Sequence, residues 1–288
     1  MSPARPAAHI RLKNILYATD LSPAAEKALP FALQIARRYD AAVHVLHVFQ
    51  PGVYPLVPPT AWSEMERGLE IFRNQKKREL DEKLHGIQHD IEFRDGGIWE
   101  NIETATRKER IDLLVLGTHG RTGLGKMALG SIAEQALRDA PCPLLTIGPN
   151  VSVDPNHAAE WTRILYATDF STASLAAAPH AISLAREHRA HLILLHCGGH
   201  EGDVQAMLHT LGDLVPFGSD LRVEPDCVVA HGSPDAKILE VAEDHGADVI
   251  VLGLPAARSD RTSKAVLDRA AIYRVVSRAA CPVLTVRI

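Results

Sequence analysis

The chain repeats itself. Leu16-Tyr17-Ala18-Thr19-Asp20 returns letter for letter as Leu165-Tyr166-Ala167-Thr168-Asp169. The match continues through Ser22 and Ser171, Pro30 and Pro179, Ala36-Arg37 and Ala185-Arg186, and Leu46-His47 and Leu195-His196. Residues 112–117 answer residues 248–253, and Cys142-Pro143-Leu144-Leu145-Thr146 answers Cys281-Pro282-Val283-Leu284-Thr285. Order is kept throughout, so a whole domain has been duplicated. A length of 288 residues agrees with two domains of about 150 each. Their expected bounds are 1–150 and 151–288. They meet in residues 149–160, where Pro149, Asn150, Asp154, Pro155 and Asn156 suit a linker.

Within the first copy, apolar runs alternate with helical periods. Residues 15–18 and 42–48 read as strands buried on both faces. Between them Ser22 can cap and Pro23 can start a helix reaching about Tyr39, kinked at Pro30, with Pro179 implying the same kink in the second copy. Residues 50–61 are Pro-rich and read as a loop. A helix follows to about His85, with Ser63 and Glu66 as its capping box. Strand 87–94, helix 99–110, strand 111–116, helix 131–140 and strand 144–147 complete the unit. Strand–helix alternation of this kind specifies an α/β fold with a mostly parallel, doubly wound sheet.

Lys+Arg 31 against Asp+Glu 35 leaves a slight acidic excess, which speaks against a nucleic-acid partner. The apolar runs are strand-sized, too short to span a bilayer, so no membrane partner is expected. Residues 1–10 lack the apolar core of a signal peptide. The four cysteines (Cys142, Cys197, Cys227 and Cys281) form no C-x-x-C pair. With these features the expected location is cytoplasmic.

Ligands of open parallel sheets bind beyond the carboxyl ends of the strands, where strand order reverses. Two segments converge there if the first strand lies beside the fourth. One is Thr19-Asp20. The other is a glycine-rich loop opening at Gly117, containing Gly120, Gly123, Gly125 and Gly130 and leading into a helix at Ser131. Glycines allow close backbone approach to a phosphate, and the helix start adds N–H groups and partial positive charge. His119, Arg121 and Lys126 add donors or positive charge. Asp20, opposite this anion cradle, can accept from a ribose hydroxyl or an adenine amine, or hold a magnesium ion bridging phosphates. Together these favour a nucleotide over a simple anion.

Gly117, Gly120, Gly130 and Ser131 fit the pattern G-x2-G-x9-G-[ST], and the chain here resembles the universal stress protein family. Leu-Gly-Thr-His-Gly-Arg-Thr-Gly at 116–123 and Ala-Pro-Cys-Pro at 140–143 resemble that family as well. The resemblance covers nearly the whole chain as two tandem domains. It implies a five-stranded parallel sheet of order 3-2-1-4-5 in each, ATP at the carboxyl ends, and pairing of the domains through their last strands as an intramolecular pseudo-dimer. Whether tandem chains form a further homodimer stays open. Ala18, Thr19 and Asp20 would contact adenine and ribose, and Val48 would lie against the base. Leu116 and Gly117 would border the ribose, and Gly120, Gly130, Ser131 and Ile132 would hold phosphates.

The second copy departs from this pattern. Gly117 and Cys142 are 25 positions apart but Gly253 and Cys281 are 28, so the second loop is three residues longer. Ala256 meets Gly120, and Arg269-Ala270 meets Gly130-Ser131. Pro255 removes a donor, and Asp260 and Asp268 repel phosphate. This half is expected to be structural or to take another ligand, for which Arg258 and Arg261 are candidates.

Other motifs weigh less. Gly120-x4-Gly125-Lys126 resembles a P-loop, but Met127 stands where that loop needs a hydroxyl. Among 15 histidines, His85 and His89 have helical ligand spacing, yet Gly86 and Ile87 between them suggest a helix end, and no cysteine joins them. No protein metal cluster is expected. His47 and His196 read as structural or pocket-lining. Ser131 reads as a helix N-cap bonding phosphate rather than a nucleophile. The leading expectation is a non-enzymatic ATP-binding protein that acts in stress response or signalling. A slow ATPase or phosphotransferase using the first site is the alternative, and an interaction module with two vestigial pockets is the third.

Overall fold

In a computed structural model the protein is described over residues 10–50, 62–119, 129–198, 203–216, 218–255 and 267–287. The first half runs β1 (Asn14–Ala18), α1 (Pro23–Glu26), α2 (Leu29–Tyr39), β2 (Ala42–Phe49), α3 (Trp62–Lys83), β3 (His89–Asp95), α4 (Ile98–Lys108), β4 (Leu113–Gly117), α5 (Ser131–Asp139) and β5 (Leu144–Ile147). The second runs β6 (Arg163–Thr168), α6 (Thr172–His188), β7 (His191–Cys197), α7 (Val204–Asp213), β8 (Asp226–Ala230), α8 (Pro234–Asp244), β9 (Val249–Leu254), α9 (Arg269–Arg278) and β10 (Val283–Arg287).

All ten strands join one sheet of order β3-β2-β1-β4-β5-β10-β9-β6-β7-β8. Each half is parallel and has the order 3-2-1-4-5, which puts the reversal between β1 and β4 and between β6 and β9. The halves meet antiparallel through their last strands, with Leu145 opposite Leu284. The seam is reinforced by Thr146 Oγ1 donating to the Val283 carbonyl at 3.1 Å and Thr285 Oγ1 to that of Leu144 at 3.3 Å. Because successive strand residues face opposite ways, Tyr17, Leu145, Tyr166 and Leu284 pack on one face, and Leu16, Leu144, Leu165 and Val283 on the other. Each apolar layer therefore runs across both halves.

Several elements depart from the expected bounds. The first helical segment breaks in two, with Pro30 in the first turn of α2, whereas Pro179 lies inside the continuous α6. An alanine run, Ala176-Ala177-Ala178, precedes Pro179, and alanine is the strongest helix former. Helix α3 already begins at Trp62, so Ser63 sits within its first turn and not at its cap. Strand β3 starts at His89 and not Ile87, because Gly86, at φ +81°, turns the chain and the Ile87 amide donates back to Leu84. Strand β4 starts at Leu113, two residues late, after Ile111 donates to Thr106. Most of the Pro-rich loop, residues 51–61, lies outside the described residues. The join between the halves is packed: Val151, Ala159 and Trp161 are buried, and Trp161 stacks on His188 at 4.9 Å. No helix among the described residues is long and apolar enough to cross a membrane.

Candidate functional site

At the first reversal the chain leaves β1 in a tight turn. The Asp20 carboxylate accepts the Ser22 amide at 2.9 Å, Thr19 Oγ1 accepts that of Leu21 at 3.0 Å, and Leu21 takes φ +60°. Ser22 caps α1 through the Ala25 amide. His47, at the end of β2, donates from Nδ1 to the Thr19 carbonyl at 2.8 Å, which ties the β1 and β2 ends together. A carbonyl only accepts, so this bond fixes the tautomer.

These ends open on a cavity of about 800 Å³. Of the expected site residues, it brings together Ala18, Thr19, Asp20, Val48, Leu116, Gly117, His119, Gly130, Ser131 and Ile132. Gly120, Arg121 and Lys126 lie outside the described residues. Its lining is polar at Thr118, His119 and the start of α5, and apolar at Val48, Phe49, Met65, Leu69 and Ile98. Sequence reasoning missed Phe49, Met65, Leu69, Ile98, Thr118 and Ala133. The i,i+4 pair Met65 and Leu69 on α3 was a readable signal.

The polar part differs in detail from expectation. Gly130, not Ser131, is the N-cap of α5, and it supplies no side-chain cap. The Gly130 amide donates to the Thr118 carbonyl at 2.8 Å, which closes the loop on itself. A Cβ at Gly130 would lie 3.2 Å from that oxygen, so close approach accounts for the glycine. The amides of the first helical turn, those of Ser131, Ile132 and Ala133 at the cavity, have no intrahelical acceptor. His119 Nδ1 is 2.9 Å from Thr118 Oγ1, and its buried Nε2 has no hydrogen-bond partner among the described residues. Gly117 serves packing: a Cβ there would meet the Ala25 backbone at 3.1 Å, and at its repeat partner Gly253 the Ala173 carbonyl at 2.1 Å.

The second reversal repeats the turn and then diverges. Asp169 accepts the Ser171 amide at 3.0 Å, Phe170 takes φ +59°, and His196 Nδ1 donates to the Thr168 carbonyl at 3.0 Å. Here, however, the second oxygen of Asp169 accepts the Leu267 amide at 3.1 Å. Although burial pushes the other way, these hydrogen bonds and those from Ser171 and Ser174 hold its carboxyl below the usual range. Asp268 caps α9 by accepting the Ala271 amide at 2.7 Å. Cys197, Leu254 and Leu267 are buried. Ala256, Arg258, Asp260 and Arg261 lie outside the described residues; Ala270 follows Arg269 in the first turn of α9.

Among the described residues no cluster of His, Cys, Asp or Glu could hold a metal ion. Helix α3 ends before His85, and His89 contacts Asp81 at 3.1 Å.

A doubly wound parallel sheet used twice, joined last strand to last strand and with a large cavity at its first switch point, defines a tandem α/β protein. The chain belongs to the universal stress protein family: the model of that family matches residues 11–148, 160–205 and 220–287. A universal stress protein of Methanocaldococcus jannaschii is 32% identical over 141 residues, covering 47% of this chain and 81% of its own. One of Thermus aquaticus is 33% identical over 136 residues, covering 47% and 98%. Among solved structures, a universal stress protein of Archaeoglobus fulgidus superposes with a TM-score of 0.75 at 22% identity, over 95% of this chain and 98% of that one. A functionally unknown protein of Pseudomonas aeruginosa gives 0.64 at 17% identity, over 96% and 92%. At these identities the two structures speak to the fold alone.

Proposed function

We propose that this chain is an ATP-binding universal stress protein of the cytoplasm, acting in stress response or signalling. Residues 1–150 hold the nucleotide and residues 151–288 act mainly as structural partner. The observation that carries this reading is the contrast between two helix starts. Helix α5 turns its uncapped first-turn amides to a cavity of about 800 Å³, whereas α9 caps its own with the Asp268 carboxylate. A cavity of that size suits a nucleotide, and its apolar and polar parts match a base and a phosphate chain. The amides of Ser131, Ile132 and Ala133, with the helix dipole, hold the phosphates. His119 adds a donor. Val48 lies against the base, Ala18, Thr19 and Asp20 contact adenine and ribose, and Leu116 and Gly117 border the ribose. Asp20, a carboxylate in the cavity lining, could hold a magnesium ion accompanying the phosphates.

Asp20 already accepts the Ser22 amide, which suits it to holding a hydroxyl more than to drawing a proton from water. Occupancy itself is then the signal, with no dedicated catalysis. Denaturing the purified protein and identifying released molecules by mass spectrometry should yield ATP, and calorimetric titration should give a stoichiometry near one per chain. Two sites per chain, or none, would overturn this reading.

A further inference from the structure

Helix α5 ends in Leu137-Arg138-Asp139-Ala140, followed by Pro141. The Leu137 carbonyl is one of the last four of the helix, which have no intrahelical donor, and the chain leaves the helix at Ala140 with ψ 128°. The donor comes from the other half. Arg287, at the end of β10, donates from Nη2 to the Leu137 carbonyl and from Nη1 to that of Pro255 at 3.1 Å. Tyr273 of α9 donates to the Glu134 carbonyl one turn earlier, at 3.3 Å. A guanidinium at the carbonyl end of a helix is also well placed for the helix dipole.

The repeat supplies an internal control. With Cys142 aligned to Cys281, Ala280 stands where Pro141 does and Gly148 where Arg287 does. Both helices end alike, the chain leaving α5 at Ala140 with ψ 128° and α9 at Ala279 with ψ 139°. Gly148 has no side chain to send, and a Cβ there would sit 3.2 Å from the Val276 carbonyl, the counterpart of the Leu137 carbonyl. An arginine thus reaches one helix end from the other half, and a glycine passes close by the other.

We propose that Arg287 is a positioning residue for the site in the first half, contributed by the second half: it gives the Leu137 carbonyl a donor that α5 does not supply and fixes that helix, so that its opposite end is aimed at the phosphates. This rests on the reading of the first cavity as an ATP site. Nine residues of helix span about 13 Å, a short rigid lever between the seam and the cavity. Contacts to base and ribose come from β1, β2 and β4 and do not pass through this lever.

The test uses the full chain as wild type, Arg287→Ala and Arg287→Lys, which keeps a cationic donor at that position. By calorimetry, Arg287→Ala should weaken ATP about tenfold and adenosine little, and Arg287→Lys should keep part of what Arg287→Ala loses. Equal loss for both ligands, no loss, or no rescue by lysine overturns the proposal. Hydrogen exchange without nucleotide separates this from the ATP reading: α5 amides should exchange faster in Arg287→Ala and less so in Arg287→Lys. If wild type binds no ATP, the ATP reading fails, and unchanged α5 exchange would overturn the role of Arg287 on its own.

Discussion

The two switch points begin alike and finish differently. Each has an aspartate turn after its first strand, a residue at positive φ behind it, and a histidine bonded to the preceding carbonyl. The divergence lies at the helix that follows the fourth strand. In the first half that helix is left open toward a cavity; in the second its amides meet Asp268, and Leu267 closes onto Asp169. The two copies share the frame and differ at this helix start. On the proposed reading, an internal carboxylate stands where the first half would seat a phosphate.

The largest expected effect comes from imposing the second solution on the first half. Gly130→Asp gives α5 an acidic cap like that of α9. The dihedrals at Gly130, φ −64° and ψ 148°, suit any residue, but a Cβ there lies 3.2 Å from the Thr118 carbonyl, which must shift slightly to admit it. ATP affinity should fall about a hundredfold as the carboxylate competes for the same amides. Thermal stability should change little, since such a cap contributes about 1 kcal/mol against the displacement of the Thr118 carbonyl. Retained ATP binding in calorimetry would break the comparison. Asp20→Ala should follow, at about tenfold in ATP affinity, with Asp20→Asn losing less because an amide oxygen can still accept the Ser22 amide. An Asn variant as weak as Ala would show that the charge, and so a metal ion, matters most.

The halves also differ between their last two helices. Asp235 of α8 pairs with Arg274 of α9 at 2.6 Å, and that hydrogen bond holds its carboxyl down at about 2. Aligning the helix starts puts Trp99 in the place of Asp235, and the register of Cys142 with Cys281 puts Gln135 in the place of Arg274. A carboxylate depressed in the folded state adds stability above its unfolded value near 3.8, and loses it as pH falls toward 2. The second half should therefore lose protection before the first in that window, as read by hydrogen exchange. Arg274→Leu should lower the melting temperature at pH 7, and its deficit should shrink as pH approaches 2. A deficit independent of pH would assign the pair to packing alone.

Much of this was legible in the chain. The repeat, the strand–helix alternation and the start of α5 at Ser131 follow from patterns that are local or recur at a fixed offset. What was not legible depends on distant backbone. Gly117 reads as part of a phosphate loop because glycine there fits a motif, yet its absent side chain makes room for α1. Gly130 reads as a phosphate donor, yet its amide is taken by Thr118. Pro30 and Pro179 are identical letters, and one begins a helix where the other rides inside one. The cavity walls Met65 and Leu69 become part of the site only once α3 folds over β2.

The smallest expected effect bears on whether the seam or the lever matters more. Tyr273→Phe removes one hydroxyl, bonded at 3.3 Å to a Glu134 carbonyl that sits one turn earlier than Leu137. Unlike the Leu137 carbonyl, that of Glu134 has an N–H partner available within the helix, from Arg138, so the loss leaves no carbonyl unsatisfied. ATP affinity should change less than about twofold, and stability by less than about 1 kcal/mol. A Tyr273→Phe variant as weak for ATP as Arg287→Ala would mean that any loosening between the halves disables the site. The second half would then be a general clamp, and the specific bond from Arg287 to the Leu137 carbonyl would lose its standing as the cause.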